Sequence, residues 1–115
     1  MIGKGLFDLL KTIHEVGDNV YPLLAPQGTK PPYITFQRIS SIDTGTMDGT
    51  DSLDMGRFQI KVFSKTYKES VLIVESVKTV MSGNGNKSMH MEDYEPDTKL
   101  YIQIIDYILS DDIVK

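Results

Sequence analysis

The chain has 115 residues, with 16 acidic against 12 basic side chains and a net charge of -4; that is the length of one domain, enough to bury a modest core without covalent staples. The absence of cysteine excludes disulfides, thiolate zinc sites, iron–sulfur clusters and a cysteine nucleophile. The acidic balance opposes broad binding to phosphate backbones or anionic lipid surfaces, so a sequence-reading nucleic-acid protein is not expected.

Near the N-terminus, Leu6, Leu9, Leu10 and Ile13 recur at helical spacing, which predicts a helix over 6–16 with one apolar face, ended by Gly17-Asp18. Asp8, Lys11 and Glu15 interrupt the apolar residues, so the segment reads as neither a signal peptide nor a membrane span. Val20 to Leu23 has strand-forming residues, but Pro22 lacks an amide hydrogen and fits only an edge or an unpaired position. Pro26 and Pro31-Pro32 predict an ordered, mostly irregular connection up to Tyr33.

Residues 33–40, YITFQRIS, alternate as a strand does, with Ile34 and Phe36 on one side and Tyr33, Thr35, Gln37 and Ile39 on the other. Residues 57–64, RFQIKVFS, alternate more cleanly, burying Phe58, Ile60 and Val62 while Arg57, Gln59 and Lys61 face out. The two strands are expected to pair antiparallel. Between them lies a glycine-, threonine- and aspartate-rich connection over 41–56, longer than the 12 to 15 residues or so beyond which loops tend to be functional or disordered. Its charged residues are Asp43, Asp48, Asp51 and Asp54, with no lysine or arginine among them.

Residues 67–81 predict the second helix, with Ile73, Val74, Val77, Val80 and Met81 on its apolar face. Thr66 and Glu69 fit a capping box and Gly83 a C-terminal stop. After the turn cluster at 82–86, a short strand is expected over 88–94 and a tight turn over Glu95-Pro96-Asp97-Thr98. Residues 99–109 then predict the longest strand, with Leu100, Ile102, Ile104 and Ile108 on one face and Tyr101, Gln103, Ile105, Tyr107 and Leu109 on the other.

The expected fold class is α+β: a twisted antiparallel sheet with an N-terminal helix and one central helix packed on one face, and a long inter-strand loop, all in one domain over 1–115. Such an arrangement leaves the far face of the sheet uncovered. Tyr33, Ile39, Tyr101, Ile105 and Tyr107 are assigned to it as a candidate interface with another subunit, since large exposed apolar patches are uncommon on monomers. The other reading is that the N-terminal helix or the proline-rich segment covers it.

No catalytic constellation stands out. His14 and His90 are the only histidines, and neither has metal-ligand or triad spacing; alternation sends His90 and Glu92 to one face without a third partner. The phosphate-cradling, dinucleotide and nucleophile-elbow motifs are missing. The glycine-rich run at 82–86 follows a helix instead of opening one, so it lacks anion-binding geometry. The run Asp48-Gly49-Thr50-Asp51 lacks the donor spacing and terminal glutamate of a calcium loop. No enzyme activity, catalytic residue, metal or cofactor is therefore expected.

Tyr21-Pro22, Ala25-Pro26-Gln27-Gly28, Pro32-Tyr33, the strand end at Gln37 to Ser40, the strand Arg57 to Phe63, the helix Thr66 to Met81 and the closing stretch Asp93 to Tyr107 form an ordered set. This set resembles the tail completion proteins of long-tailed bacteriophages, also called tail-to-head joining or tail terminator proteins. The resemblance runs from about residue 16 to 108. It implies a structural virion protein made in the bacterial host cytoplasm, forming a ring, typically of six subunits, at the head-proximal end of the tail. There it would terminate the tail tube and join it to the head-completion or connector protein, with DNA passing through unbound and no membrane involved.

The resemblance also implies that the long loop makes inter-subunit or lumen contacts, through Asp43, Met47, Asp48, Asp51, Leu53, Asp54 and, at its foot, Arg57. The polar stretch over 82–89 and the short acidic tail after Ile108 depart from the family pattern and bear on docking partners. The alternative function is a monomeric module of a prophage that regulates a host protein through its acidic loop. A small hydrolase is a third reading, and it requires a cleft bringing His14 or His90 near a carboxylate.

Overall fold

The computed structural model describes residues 4–42 and 55–110, arranged as α1 (Lys4–Leu10), β1 (Val20–Pro22), β2 (Tyr33–Ile42), β3 (Met55–Ser64), α2 (Tyr67–Met81), β4 (Asn86–Glu95) and β5 (Leu100–Ser110). The strands form one sheet in the order β1-β2-β3-β5-β4. Every pair is antiparallel except β1 with β2, which run parallel with Val20 beside Ile34 and Pro22 beside Phe36. This is the expected α+β architecture, and Pro22 sits on an edge strand, where its missing donor is tolerated.

α1 is shorter than its apolar spacing predicts. Past Leu10 the backbone tightens, with Thr12 and Ile13 N–H bonding back three residues to Leu9 and Leu10 carbonyls and the Thr12 hydroxyl donating to the Leu9 carbonyl at 2.7 Å. The turns that follow still bury Ile13 and Val16 beside Leu6 and Leu10.

α2 keeps its predicted bounds because both ends carry local signals. Thr66 accepts from the Glu69 N–H at 3.1 Å, as a cap should. The reciprocal half of the capping box is rerouted: Glu69 takes the Ser64 hydroxyl at 2.5 Å, and Ser64 Oγ in turn accepts the Thr66 N–H at 3.3 Å. At the far end Gly83 adopts φ of 80°, a left-handed conformation that glycine enters without a β-carbon penalty.

The core lies between the helices and one face of the sheet, where Leu6, Leu10, Ile34, Ile60, Ile73, Val77, Ile105 and Leu109 are fully buried. α2 packs across β3 and β5, and α1 against α2 and β1. β3 presents Phe58, Ile60 and Val62 to this layer, and the β3–β5 register aligns them with Tyr107, Ile105 and Gln103.

That register corrects the face assigned to β5. Tyr101, Ile105 and Tyr107 do not lie on the face away from the helices; Ile105 is 0% and Tyr107 4% exposed in the core, and the Tyr101 ring meets Tyr67 of α2 edge-on at 6.0 Å. β5 is apolar on both faces, so its own alternation carries no preference; the cleaner alternation of its neighbour β3 decides which face turns inward.

Candidate assembly surfaces

The face away from the helices is built from the second set of alternating residues. Tyr33 of β2, Phe63 of β3, Ile102 of β5 and Asp93 of β4 align across the strands, and the Tyr33 and Phe63 rings stack with centroids 4.6 Å apart. The sheet and the proline-rich segment after β1 enclose a trough of about 660 Å³ on this side, floored by Leu100, Ile102 and Ile104 and edged by Lys61, Lys65 and Glu95. The proline-rich segment thus covers part of this face. Burial, reinforced by the nearby Glu95 carboxylate, raises the Tyr33 phenol above its ordinary pKa.

Among the residues assigned to the sheet-face interface, the structure therefore leaves Tyr33 on that face and places Tyr101, Ile105 and Tyr107 on the opposite one. Ile39 falls in a bulge between Arg38 and Ser40 and is exposed; the extra residue there breaks the alternation from which its side was read. Burial raises the Tyr107 phenol pKa, as expected for a core position.

Asp43, Met47, Asp48, Asp51, Leu53 and Asp54 lie outside the described residues. Arg57 stands at the foot of that connection, exposed, with Ser40 and Ile108 beside it in the sheet. Ile42 and Met55, which flank the connection, are paired, and Met55 also pairs Ser110. Ile42, Met55 and Ser110 therefore lie together at one end of the sheet. The turn between Glu95 and Leu100 lies at the other end of β5, closed by the Lys99 N–H on the Glu95 carbonyl at 2.8 Å.

β4 is longer than expected and forms the outer edge of the described sheet, with every one of its residues exposed. A polar cluster on the helix side ties it down. Gln103, 1% exposed, uses both amide hydrogens, donating to Ser70 Oγ at 3.1 Å and Glu92 Oε2 at 2.8 Å. Its carbonyl Oε1 lies 2.7 Å from His90 Nε2, an arrangement that assigns the proton to that ring nitrogen. The Tyr67 hydroxyl donates to the same Glu92 oxygen at 2.7 Å, and Ser70 passes its own proton to the Tyr67 carbonyl at 2.7 Å.

The hydrogen bond from Gln103, then that from Tyr67, hold the Glu92 carboxyl below its usual range. His90 and Glu92 share a face, as alternation requires, and the group that joins them is an amide. The sequence signals for this cluster are a glutamine inside an otherwise apolar file of β5 and a serine, Ser70, among the buried positions of α2; a polar residue at a core position implies a partner.

Comparison with known proteins follows the same architecture. A family model described as tail completion protein gp17 matches residues 4–108, which takes in α1 to β4 whole and β5 up to Ile108. Among solved structures, a chain in the virion of the native gene transfer agent (GTA) particle superposes with a TM-score of 0.62 at 10% identity, covering 88% of this chain and 82% of that one. At that identity the likeness speaks for the fold. No match is found among curated protein sequences. With the helix pair, the sheet order and the long β2–β3 connection inside one family match that runs nearly end to end, the chain belongs to the tail completion protein gp17 family.

Proposed function

We propose that the chain acts as a structural component of the virion at the head-proximal end of a phage tail, where copies of it form a ring that terminates the tail tube and joins it to the head connector. The observation that carries this reading is the family match across residues 4–108. In this reading the chain carries out no reaction. Its partners are itself, in a ring of six, the tail tube protein on one side and the head-completion protein on the other, with DNA passing through without specific binding.

The acidic connection fits the same role. Its aspartates have no basic residue between them, and turned toward a channel they would repel phosphates and keep DNA from adhering. Met47 and Leu53 would instead suit contact with a neighbouring subunit.

Deleting the reading frame from the source phage or prophage and viewing induced lysates by electron microscopy tests the role. Filled heads beside unjoined or over-long tails, rescued by supplying the protein, are expected. Intact infectious virions would overturn the reading and favour a monomeric regulatory module.

A further inference from the structure

Among the described residues the sheet has two ends, and they differ sharply. β1 is three residues long and stops at Pro22, which has no amide hydrogen to donate, and the next residue, Leu23, has φ of 66°. No strand can extend that edge by more than a residue or two. β4 offers ten residues, all exposed, paired on one side by β5. Long open edges invite strand addition, and folded proteins commonly blunt them with lysines and bulges. Here Lys87 and the bulge between Lys87 and Met89 guard only the start of the edge, leaving Met89 to Glu95 open.

We infer that the outer edge of β4 pairs antiparallel with the same strand of a second copy of this chain, about a two-fold axis that sets Met91 against Met91. Directly opposed residues in an antiparallel pair share a face of the sheet, so a symmetric pair must centre on one residue. Centring on Glu92 or Asp93 would oppose like carboxylates, which is destabilising. Centring on His90 runs the pairing into the bulge. Centring on Met91 keeps Met89 to Asp93 regular and opposes His90 to Glu92; past the bulge, Lys87 turns to the helix side, the face opposite Glu95. Met89 and Met91, 36% and 48% exposed, then form an apolar strip across the axis, continuing the line of Ile104, which pairs with Met91. His90 of each strand faces Glu92 of its counterpart on the helix side while the two Met91 side chains meet on the other, which is why a second copy suits this edge.

One strand per copy makes a contact smaller than the ~1,200–2,000 Å² of a stable interface, so the pair exchanges with monomer as concentration changes. It is isologous, whereas a ring is closed by heterologous contacts. It is therefore a property of the free subunit and does not rest on the role in the tail.

The lack of native cysteine makes the test direct. Purified full-length Met91→Cys, Met89→Cys and Asp93→Cys proteins are oxidised mildly with diamide and resolved on non-reducing gels. Two copies of residue 91 would have β-carbons about 4.5–5.5 Å apart, while two copies of residue 89 would be offset by four residues, about 13 Å. Met91→Cys should therefore crosslink to dimer at least tenfold faster than the other two. Sedimentation equilibrium of the unaltered chain should show monomer and dimer shifting with concentration, and Met91→Lys should weaken the association at least tenfold. Equal crosslinking of the three variants, a strictly monomeric chain up to millimolar concentration, or higher oligomers indifferent to Met91→Lys would each overturn the pairing. The deletion phenotype is unaffected by any of these results.

Discussion

Gln103 on β5 and Ser70 on α2, 33 residues apart in the chain, meet through a hydrogen bond of 3.1 Å beneath a helix whose other fully buried side chains, among them Ile73, Val74 and Val77, are apolar. The amide also holds Glu92 and His90 of β4, so one buried side chain links the second helix, the longest strand and the open edge. Replacing it with leucine would keep the volume and remove all three hydrogen bonds. Gln103→Leu should lower unfolding stability by about 1 kcal/mol, the net worth of hydrogen bonds whose outer partners, Glu92 and His90, are exposed and can turn to water, read from urea denaturation. Ser70→Ala should cost about 1–3 kcal/mol, because it leaves a buried Gln103 amide hydrogen without its acceptor. Equal stability of Gln103→Leu and the parent chain would mean that the cluster does not stabilise the fold.

Acid should loosen the same region. Glu92 has a folded pKa below its unfolded one, so its contribution is fully present above the unfolded value and is lost as pH falls through the folded value. The protection of β4 amides, measured against their intrinsic exchange rates at each pH, should therefore fall below about pH 4.5, the ordinary value, before the core strands respond. Glu92→Gln should flatten that dependence. Parallel pH profiles for the two proteins would rule out this carboxylate as the source.

Gly85 lies where no side chain fits. A β-carbon there would overlap Leu109 Cδ2 and stand 3.1 Å from the Ile108 carbonyl oxygen, and Leu109 is itself fully buried. Gly85→Ala should destabilise by about 1–3 kcal/mol through overpacking, and pairing it with Leu109→Ala should recover part of that loss. Strict additivity in the double mutant would place the cost elsewhere.

The two sides of the sheet predict different outcomes for residues that alternation had grouped together. Ile105→Ala should cost about 2–5 kcal/mol, as a truncation in the core does. Ile39→Ala, in an exposed bulge, should stay within about 0.5 kcal/mol. Thermal unfolding of the two variants separates these positions directly.

Reversing Asp43, Asp48, Asp51 and Asp54 to lysine tests the channel role of the acidic connection. Particles should assemble, and DNA ejection triggered in vitro should slow or stop, as followed by dye fluorescence of released genome. Normal ejection would leave the loop to inter-subunit contact.

How far the sequence was legible varied with how much of each signal was local. α2 was readable to the residue because Thr66 and Gly83 mark its ends through backbone chemistry that needs no tertiary partner. β3 was readable because one of its faces carries Phe58, Ile60 and Val62 and the other carries Arg57, Gln59 and Lys61 before Phe63. β5 was not, because Leu100, Ile102 and Ile104 rival Tyr101, Ile105 and Tyr107 in hydrophobicity; only the register with β3 turns the second set inward. Ile39 was misplaced by a bulge that alternation cannot reveal. β4 looked short and polar because an edge strand exposed on both faces has no buried file to announce it.

Because Ile42, Met55 and Ser110 are neighbours in the sheet while Pro96 to Lys99 close the hairpin at the far end of β5, the subunit, 51 Å in its longest dimension, is a directional object with distinguishable poles. A gold or fluorescent tag on Thr98 marks one pole without disturbing the other. In an image of a finished particle, it would test the proposed position at the head–tail junction and tell which end of the molecule faces the head there.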